Sequence, residues 1–369
     1  MSRKSRPKAQ GWGAATAFLV PAVFLSAFLI FQVQPMIGKH ILPWFGGAPS
    51  VWTTCLLFFQ TLLLVGYAYA HLSASKLRIR WQVILHLALL AAALFVSILP
   101  GKTWQPQGHE YPLVRITLML LVSVGLPFVA LSASGPLLQS WYARLRGGRA
   151  PYPLYAVSNA GSLLALVSYP FLIEPALPVA EQARAWYWVF VAFIVFCAVV
   201  AGLLWRAPSS AQTGTEATAG SESGAHDDRR ASGGIRRLDQ WLWVAWSACA
   251  VVLFMAVTNV LTMNIAAIPL LWILPLSIYL VSFILTFSGK RWYNRKLFAV
   301  LLVASISVFI FALPTGLTGH DILLNTGVVQ KILLAAVALL VCCMVCNGEL
   351  YGLRPHPSHL TRYLSLIHI

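Results

Sequence analysis

The sequence predicts an all-α fold, a polytopic bundle of about ten membrane-spanning helices. Three observations carry that reading. The 369 residues are 59% hydrophobic and only 10% charged, with a mean hydropathy of +0.76, and a soluble fold of this size has no means of hiding so much apolar surface. The apolar residues are gathered into runs of roughly 18 to 25, the length that crosses a bilayer as a helix. Basic residues collect between those runs.

In chain order the runs fall near 14–37, 49–72, 82–99, 113–138, 154–173, 185–205, 241–263, 268–288, 297–314 and 328–347. The first follows a basic tail of Arg3, Lys4, Arg6 and Lys8, as a secretion signal would, but it is too long and continues into Gln32, Gln34 and Pro35. It reads as an uncleaved span. Assigning the loops alternately to two sides places 21 of the 26 Lys and Arg on the side of the N-terminal tail; the other side receives Lys39, Lys102, Arg115, Arg184 and Lys331. Basic residues flanking spans stay in the cytoplasm, so the bias predicts an even number of spans with both termini cytoplasmic.

The same bias accounts for the formal charge of +16. It reads as topology and contact with anionic headgroups in the lipid bilayer, not as a nucleic-acid footprint, because no basic stripe is interleaved with aromatics. Trp12, Trp52, Trp81, Trp141, Trp186, Trp205, Trp241 and Trp272 all fall near predicted helix ends, where amphipathic rings suit the interface.

Between Ala207 and Arg237 the composition changes to Ser, Gly, Thr, Ala and charge, which cannot bury enough apolar area to fold. The domain reading is therefore a first six-helix half over 1–206, a flexible cytoplasmic linker over 207–240 and a second half over 241–369 with four helices. A weak internal repeat bears on that asymmetry. Gly135-Pro-Leu-Leu-Gln, a basic loop and Pro153-Leu-Tyr-Ala-Val-Ser correspond in position to Gly348-Glu-Leu-Tyr-Gly, a Pro/His/Arg loop and His359-Leu-Thr-Arg-Tyr-Leu-Ser. Pairing the two junctions predicts a six-plus-six bundle of which ten helices are present. Leu364 to Ile369 then read as a sequence-end scar.

Polar residues inside apolar runs are the candidate sites. His86 is the ionisable group set deepest in a span, and it fits a proton-relay or ligand role or a hydrogen-bonded packing role. Gln32 and Gln34 beside Pro35 fit the polar lining of a cavity or interhelical bonding, with Pro35 able to open the helix by removing a backbone donor. Asn159 with Ser158 and Ser162, and Asn259 with Thr258 and Thr262, fit either a substrate-facing role or helix glue. Glu174, followed by Pro175, caps a cavity or sits at the interface. The six cysteines all lie in predicted spans, so no disulfide framework follows, and the C-x-x-C of Cys343 and Cys346 lacks the strand and helix context of a redox motif. No catalytic, cofactor or metal motif is present in the chain.

The stretch FLIFQVQPMIGKHILPWFGGAPSVWTTCLLFFQTLLLVGYAYAH from Phe28 to His71 closely resembles the opening of bacterial fused major-facilitator/spermidine-synthase membrane proteins. YAVSNAGSLLALVSYPFLIEPAL from Tyr155, LLWILPLSIYLVSFILTF from Leu270 and NGELYGLRPHPSHLTRYL from Asn347 are similar to the same family. The resemblance implies a major-facilitator-like bundle in a bacterial inner membrane, followed by a soluble domain similar to aminopropyltransferases that joins decarboxylated S-adenosylmethionine to a diamine. That domain needs a Gly-rich loop after a strand and paired acidic residues, and neither is found here. Decarboxylated S-adenosylmethionine would thus be a substrate of the missing domain, the chain needing no cofactor of its own. The loop LSASKLRIR departs from the basic gating loop of major facilitators, lacking its acidic residue and glycine spacing. The expectation is the truncated membrane domain of a spermidine-synthase-like protein, an anchor or a conduit for a small amine or related metabolite. The alternatives are a self-contained solute transporter and a structural membrane scaffold.

Overall fold

The computed structural model describes residues 12–46, 49–106, 111–145, 152–206, 237–264, 273–288, 291–312 and 328–353. Among them the regular structure is entirely helical. The α-helices are α1 (Trp12–Phe45), α2 (Pro49–Lys76), α3 (Ile79–Ala93), α4 (Pro112–Leu120), α5 (Leu126–Leu145), α6 (Tyr152–Ser168), α7 (Glu174–Ala176), α8 (Val179–Arg206), α9 (Arg237–Asn264), α10 (Ile273–Ser288), α11 (Arg295–Ala312) and α12 (Val328–Gly352). Each of the ten predicted runs falls on one of these helices or on two joined by a π turn. Most of the linker, and the tail from Arg354 with the expected eleventh helix and Leu364 to Ile369, lie outside the described residues.

Local chemistry explains the irregularities. π turns at Leu121–Gly125 and Tyr169–Ile173 join α4 to α5 and α6 to α7. Each precedes a proline, Pro127 and Pro175, whose missing N–H and bulky ring displace the carbonyl four residues earlier, at Ser123 and Phe171. The ladder widens by one residue and the helix continues. Pro35 has no such effect: α1 passes through it unbroken to Phe45, eight residues beyond the expected end. At 34 residues α1 is about 51 Å long. The predicted third span is shortened instead, because α3 stops at Ala93 and the chain leaves it through tight turns from Leu94, Phe95 and Val96 back to the carbonyls of Ala91, Ala92 and Ala93.

Among the described residues seven helical stretches are long and apolar enough to cross a membrane: Thr16–Phe45, Thr53–Lys76, Pro112–Ala143, Leu154–Ala176, Val179–Trp205, Arg237–Leu261 and Ile332–Gly352. Ile79–Ala93 and Ile273–Phe287 are shorter apolar helices. The outside of the protein is apolar too, with Leu57, Val122 and Val300 each more than 60% exposed, while Gln32, Gln82, His86, Ser134 and Asn347 are buried. Water would reverse that distribution. Hydrocarbon requires it, because only inside the protein can a polar group find a partner. The chain is an all-helical polytopic membrane protein.

The chain divides into two compact units. Unit 1 comprises Met1–Ile37, Leu56–Ala165 and Ala176–Ala219; unit 2 comprises Gly38–Cys55, Leu166–Pro175 and Gly220–Ile369. In unit 1, α3 packs against α5 and α8. Helices α1 and α6 approach so closely that a Cβ on Gly161 would lie 2.6 Å from the Phe24 carbonyl oxygen. In unit 2, α12 packs against α9, α10 and α11, around Phe254, Leu339 and Cys343.

The tryptophans divide in a way the helix-end rule does not foresee. Trp81, Trp205 and Trp241 are exposed, as interface rings should be. Trp141 and Trp186 are buried, and each indole N–H is spent inside unit 1, Trp141 on Gln82 Oε1 at 3.2 Å and Trp186 on the Leu29 carbonyl at 3.0 Å. The side chains of Trp12 and Trp52, and all of Trp272, lie outside the described residues.

Candidate functional site

The polar centre of unit 1 is built on α3. Its buried residues Gln82, Val83, His86, Leu90 and Ala93 recur at helical spacing, so one face turns inward and carries two polar side chains four residues apart. Gln82 is satisfied at both ends: its amide NH2 donates to the Leu77 carbonyl at 2.8 Å and its oxygen accepts from Trp141. His86 is fully buried, with Nε2 3.0 Å from Ser134 Oγ on α5.

The Ser134 hydroxyl determines the form of that imidazole. Its single hydrogen is directed at the Ala130 carbonyl, 2.7 Å away, so Ser134 Oγ meets His86 as an acceptor and Nε2 is the donor. In the neutral ring Nδ1 then holds a bare lone pair, and this buried atom has no hydrogen-bond partner. On α2, Tyr69 Oη and Ser73 Oγ are buried one helical turn apart, close enough to bond each other, and have no other partner. The Tyr69 ring stacks beside His86 with centroids 6.2 Å apart, and the Trp141 edge approaches from the other helix at 6.1 Å. Among the described residues, His86 Nδ1 and Ser277 Oγ are buried side-chain polar atoms without a partner, and Tyr69 Oη and Ser73 Oγ have none beyond each other.

Chemically His86 Nδ1 offers one committed acceptor lone pair, with the Tyr69–Ser73 hydroxyl pair on the neighbouring helix α2. Leaving a buried polar atom unsatisfied costs about 1–3 kcal/mol, so the bare Nδ1 of His86 is ready to receive a hydrogen-bond donor. A close helix approach sets the geometry: a Cβ on Gly66 would run into Ser132 on α5, so the glycine lets α2 lie against α5.

The other expected residues are placed as follows. Gln32 is buried and donates through Nε2 to the Ala165 carbonyl at 2.8 Å, which makes it a link from α1 to α6. Gln34 and Asn159 are half-buried in unit 1, and Ser162 spends its hydroxyl on the Ser158 carbonyl of its own helix at 3.1 Å. Gln32 and His86 thus take separate partners on separate helices. Asn259 is exposed on α9 in unit 2, and neighbouring Thr258 bonds back to the Phe254 carbonyl at 2.7 Å; the Thr262 side chain lies outside the described residues.

Glu174 forms an ion pair with Lys39 at 2.5 Å in unit 2, both side chains about one-third exposed. Pinning a carboxylate at a helix end in this way fits the interface reading more closely than an open cavity cap. A shallow apolar depression lined by Gly38, Ile41, Leu42, Val51 and Cys55 also belongs to unit 2 and presents no strong donor or acceptor side chain. Cys342, Cys343 and Cys346 are buried on α12 and free, and among the described residues no three His, Cys, Asp or Glu side chains are arranged to hold a metal ion.

Sequence reasoning found His86 and missed Gln82, Tyr69, Ser73 and Ser134. The signal available for Gln82 was its spacing of four from His86 on an otherwise apolar helix. No comparable signal marks Ser134 or Ser73, because serine is common in membrane helices.

No protein-family model matches the chain, and no curated protein matches it. Among solved structures it is similar to the MFS (major facilitator superfamily) proton:xylose symporter XylE bound to 6-bromo-6-deoxy-D-glucose, at 14% identity over 96% of this chain and 86% of that chain, with a TM-score of 0.49. What its own helices and buried polar groups establish is a polytopic helical membrane protein with a buried imidazole, His86, whose Nδ1 has no partner.

Proposed function

We propose that this chain handles a small amine, passing it through the membrane domain by way of the cluster around His86. The observation that carries the reading is the unpartnered His86 Nδ1, fully buried beside the Tyr69 ring, with the Tyr69 and Ser73 hydroxyls one turn apart on α2 and close enough to bond each other. An ammonium group brings three N–H donors and no acceptor, which complements this set. A purely structural anchor has no use for an open acceptor in its interior, since an apolar residue there would remove the desolvation cost.

The resemblance to fused major-facilitator/spermidine-synthase proteins supports the same ligand class. In that reading the membrane domain delivers or disposes of the amine, and a synthase-like domain uses decarboxylated S-adenosylmethionine to extend it. The segregation of basic residues supports a bacterial inner-membrane location with cytoplasmic termini.

The test is flux. The purified chain is reconstituted in liposomes and uptake of a radiolabelled diamine is measured for wild type, His86→Phe and a Tyr69→Phe/Ser73→Ala double variant. Wild type should exceed protein-free vesicles, and both variants should lose about tenfold of that flux while eluting as folded protein. Equal flux in all three proteins, or none above the protein-free control, refutes the proposal.

A further inference from the structure

The short connection between α10 and α11 differs from an ordinary interfacial loop. Arg291, Trp292, Arg295 and Lys296 are all exposed, within six residues. Residues 293 and 295 of the connection are tied to α12. Glu349 Oε1, near the end of α12, accepts a hydrogen bond from Tyr293 Oη at 2.8 Å and pairs with Arg295 Nε at 3.0 Å, while its own side chain is only 18% exposed. The Tyr293 ring lies flat against α12 where residue 348 is glycine; a Cβ there would stand 2.5 Å from the ring. Asn294 Oδ1 accepts from the backbone N–H of Lys296 and Leu297, fixing the start of α11.

One carboxylate is therefore used twice, on residues 293 and 295, and among the described residues of the turn it faces the cations Arg291, Arg295 and Lys296. The Arg295 guanidinium is held only at Nε and its side chain is 80% exposed, so its outer edge faces outward. Directly along α11, the exposed large apolar side chains among the described residues are Leu297, Val300, Leu301, Val303, Ile306 and Val308. Lys296, Val300 and Val303 share one stripe at helical spacing. A cationic, Trp-bearing head above an unbroken apolar stripe matches one molecular shape: a phosphate-bearing headgroup with acyl chains hanging from it. In the basic turn between α2 and α3, Lys76 and Arg78 are exposed as well, but Arg80 is stacked over the Trp205 ring at 5.6 Å and no carboxylate is shown ordering the turn among the described residues.

We propose that the α10–α11 turn and the outer face of α11 form a binding site for an anionic phospholipid, with Arg291, Arg295 and Lys296 on the phosphate and α11 along the acyl chains. Glu349 is the positioning residue that preforms it. The inference stands apart from the amine reading and survives that reading's failure.

The purified full chain in detergent is mixed with phosphatidylglycerol or phosphatidylcholine, and retained lipid is counted by native mass spectrometry. Wild type should retain phosphatidylglycerol in preference. Each basic residue near a headgroup is worth about fivefold in affinity, so Arg291→Ala/Lys296→Ala should weaken phosphatidylglycerol retention about thirtyfold and leave phosphatidylcholine unchanged. Arg291→Lys should keep the preference, and Lys76→Ala/Arg78→Ala should retain wild-type binding. An unchanged preference in Arg291→Ala/Lys296→Ala, or an equal loss in Lys76→Ala/Arg78→Ala, overturns the proposal.

Discussion

Replacing Gly161 by alanine tests the closest helix contact in unit 1. In an isolated helix the change would stabilise by about 1 kcal/mol. Here the new Cβ would lie 2.6 Å from the Phe24 carbonyl oxygen and 3.3 Å from the Phe24 ring. An ordinary carbon–oxygen contact is about 3.3 Å, so α1 and α6 must separate by roughly 0.7 Å. Overpacking of this kind costs about 1–3 kcal/mol. One turn further along the same helix pair, Gln32 donates to the Ala165 carbonyl at 2.8 Å, and separation stretches that bond toward its limit. Such bonds in membranes average about 0.6 and reach about 1.7 kcal/mol. The cost exceeds the propensity gain, and the expected result is a net loss of about 1–3 kcal/mol. The assay is unfolding in mixed micelles with rising SDS, followed by circular dichroism. Gly202→Ala is the control, because nothing lies within 4 Å of its Cβ and it should be neutral or slightly stabilising. If Gly161→Ala unfolds at the same midpoint as Gly202→Ala, the close approach and the reasoning built on it are wrong.

Other perturbations read out other contacts. Lys39→Glu and Glu174→Lys should each destabilise by about 0.5–1 kcal/mol, the range for a partly exposed pair, and the double exchange should recover most of the loss; additive losses in the same SDS titration would deny the ion pair. Burial, and then the hydrogen bond to and charge of Glu349, push the Tyr293 hydroxyl above its ordinary value near 10. Its contribution is fully present below that pH and is lost as pH rises beyond it, because the unfolded chain releases the proton first. Melting between pH 9 and 12 should show a decline that Tyr293→Phe diminishes, and an identical decline in the variant would count against the bond.

The class of the helices and their order were legible from the letters, but not their extent: seven described stretches, against ten predicted spans, are long and apolar enough to cross a membrane. Apolar runs of bilayer length have only one way to satisfy their backbone, so the ten helices could be read without any tertiary information. Boundaries were less legible where prolines act: Pro35 looks like a helix breaker, yet α1 continues, while Pro127 and Pro175 produce π turns that apolar periodicity does not register. His86 was visible because a histidine is costly in hydrocarbon. Its partners were not, because Ser134, Tyr69 and Ser73 lie on other helices and carry nothing unusual locally. Trp141 shows the same limit. Near a helix end it reads as an interface ring, and only packing reveals that it is fully buried and bonded to Gln82.

By itself the sequence determined that this protein lives in a bilayer, because hydropathy and the placement of Lys and Arg are sums over the chain that no packing arrangement can change. Tertiary structure alone decided which polar atoms are satisfied. A side chain in hydrocarbon takes its meaning from the helix opposite it, and that neighbour is set by close approaches such as Gly66 to Ser132 and Gly161 to Phe24. The Ser134 hydroxyl, turned to Ala130 and so leaving His86 Nδ1 bare, is a fact of three dimensions only.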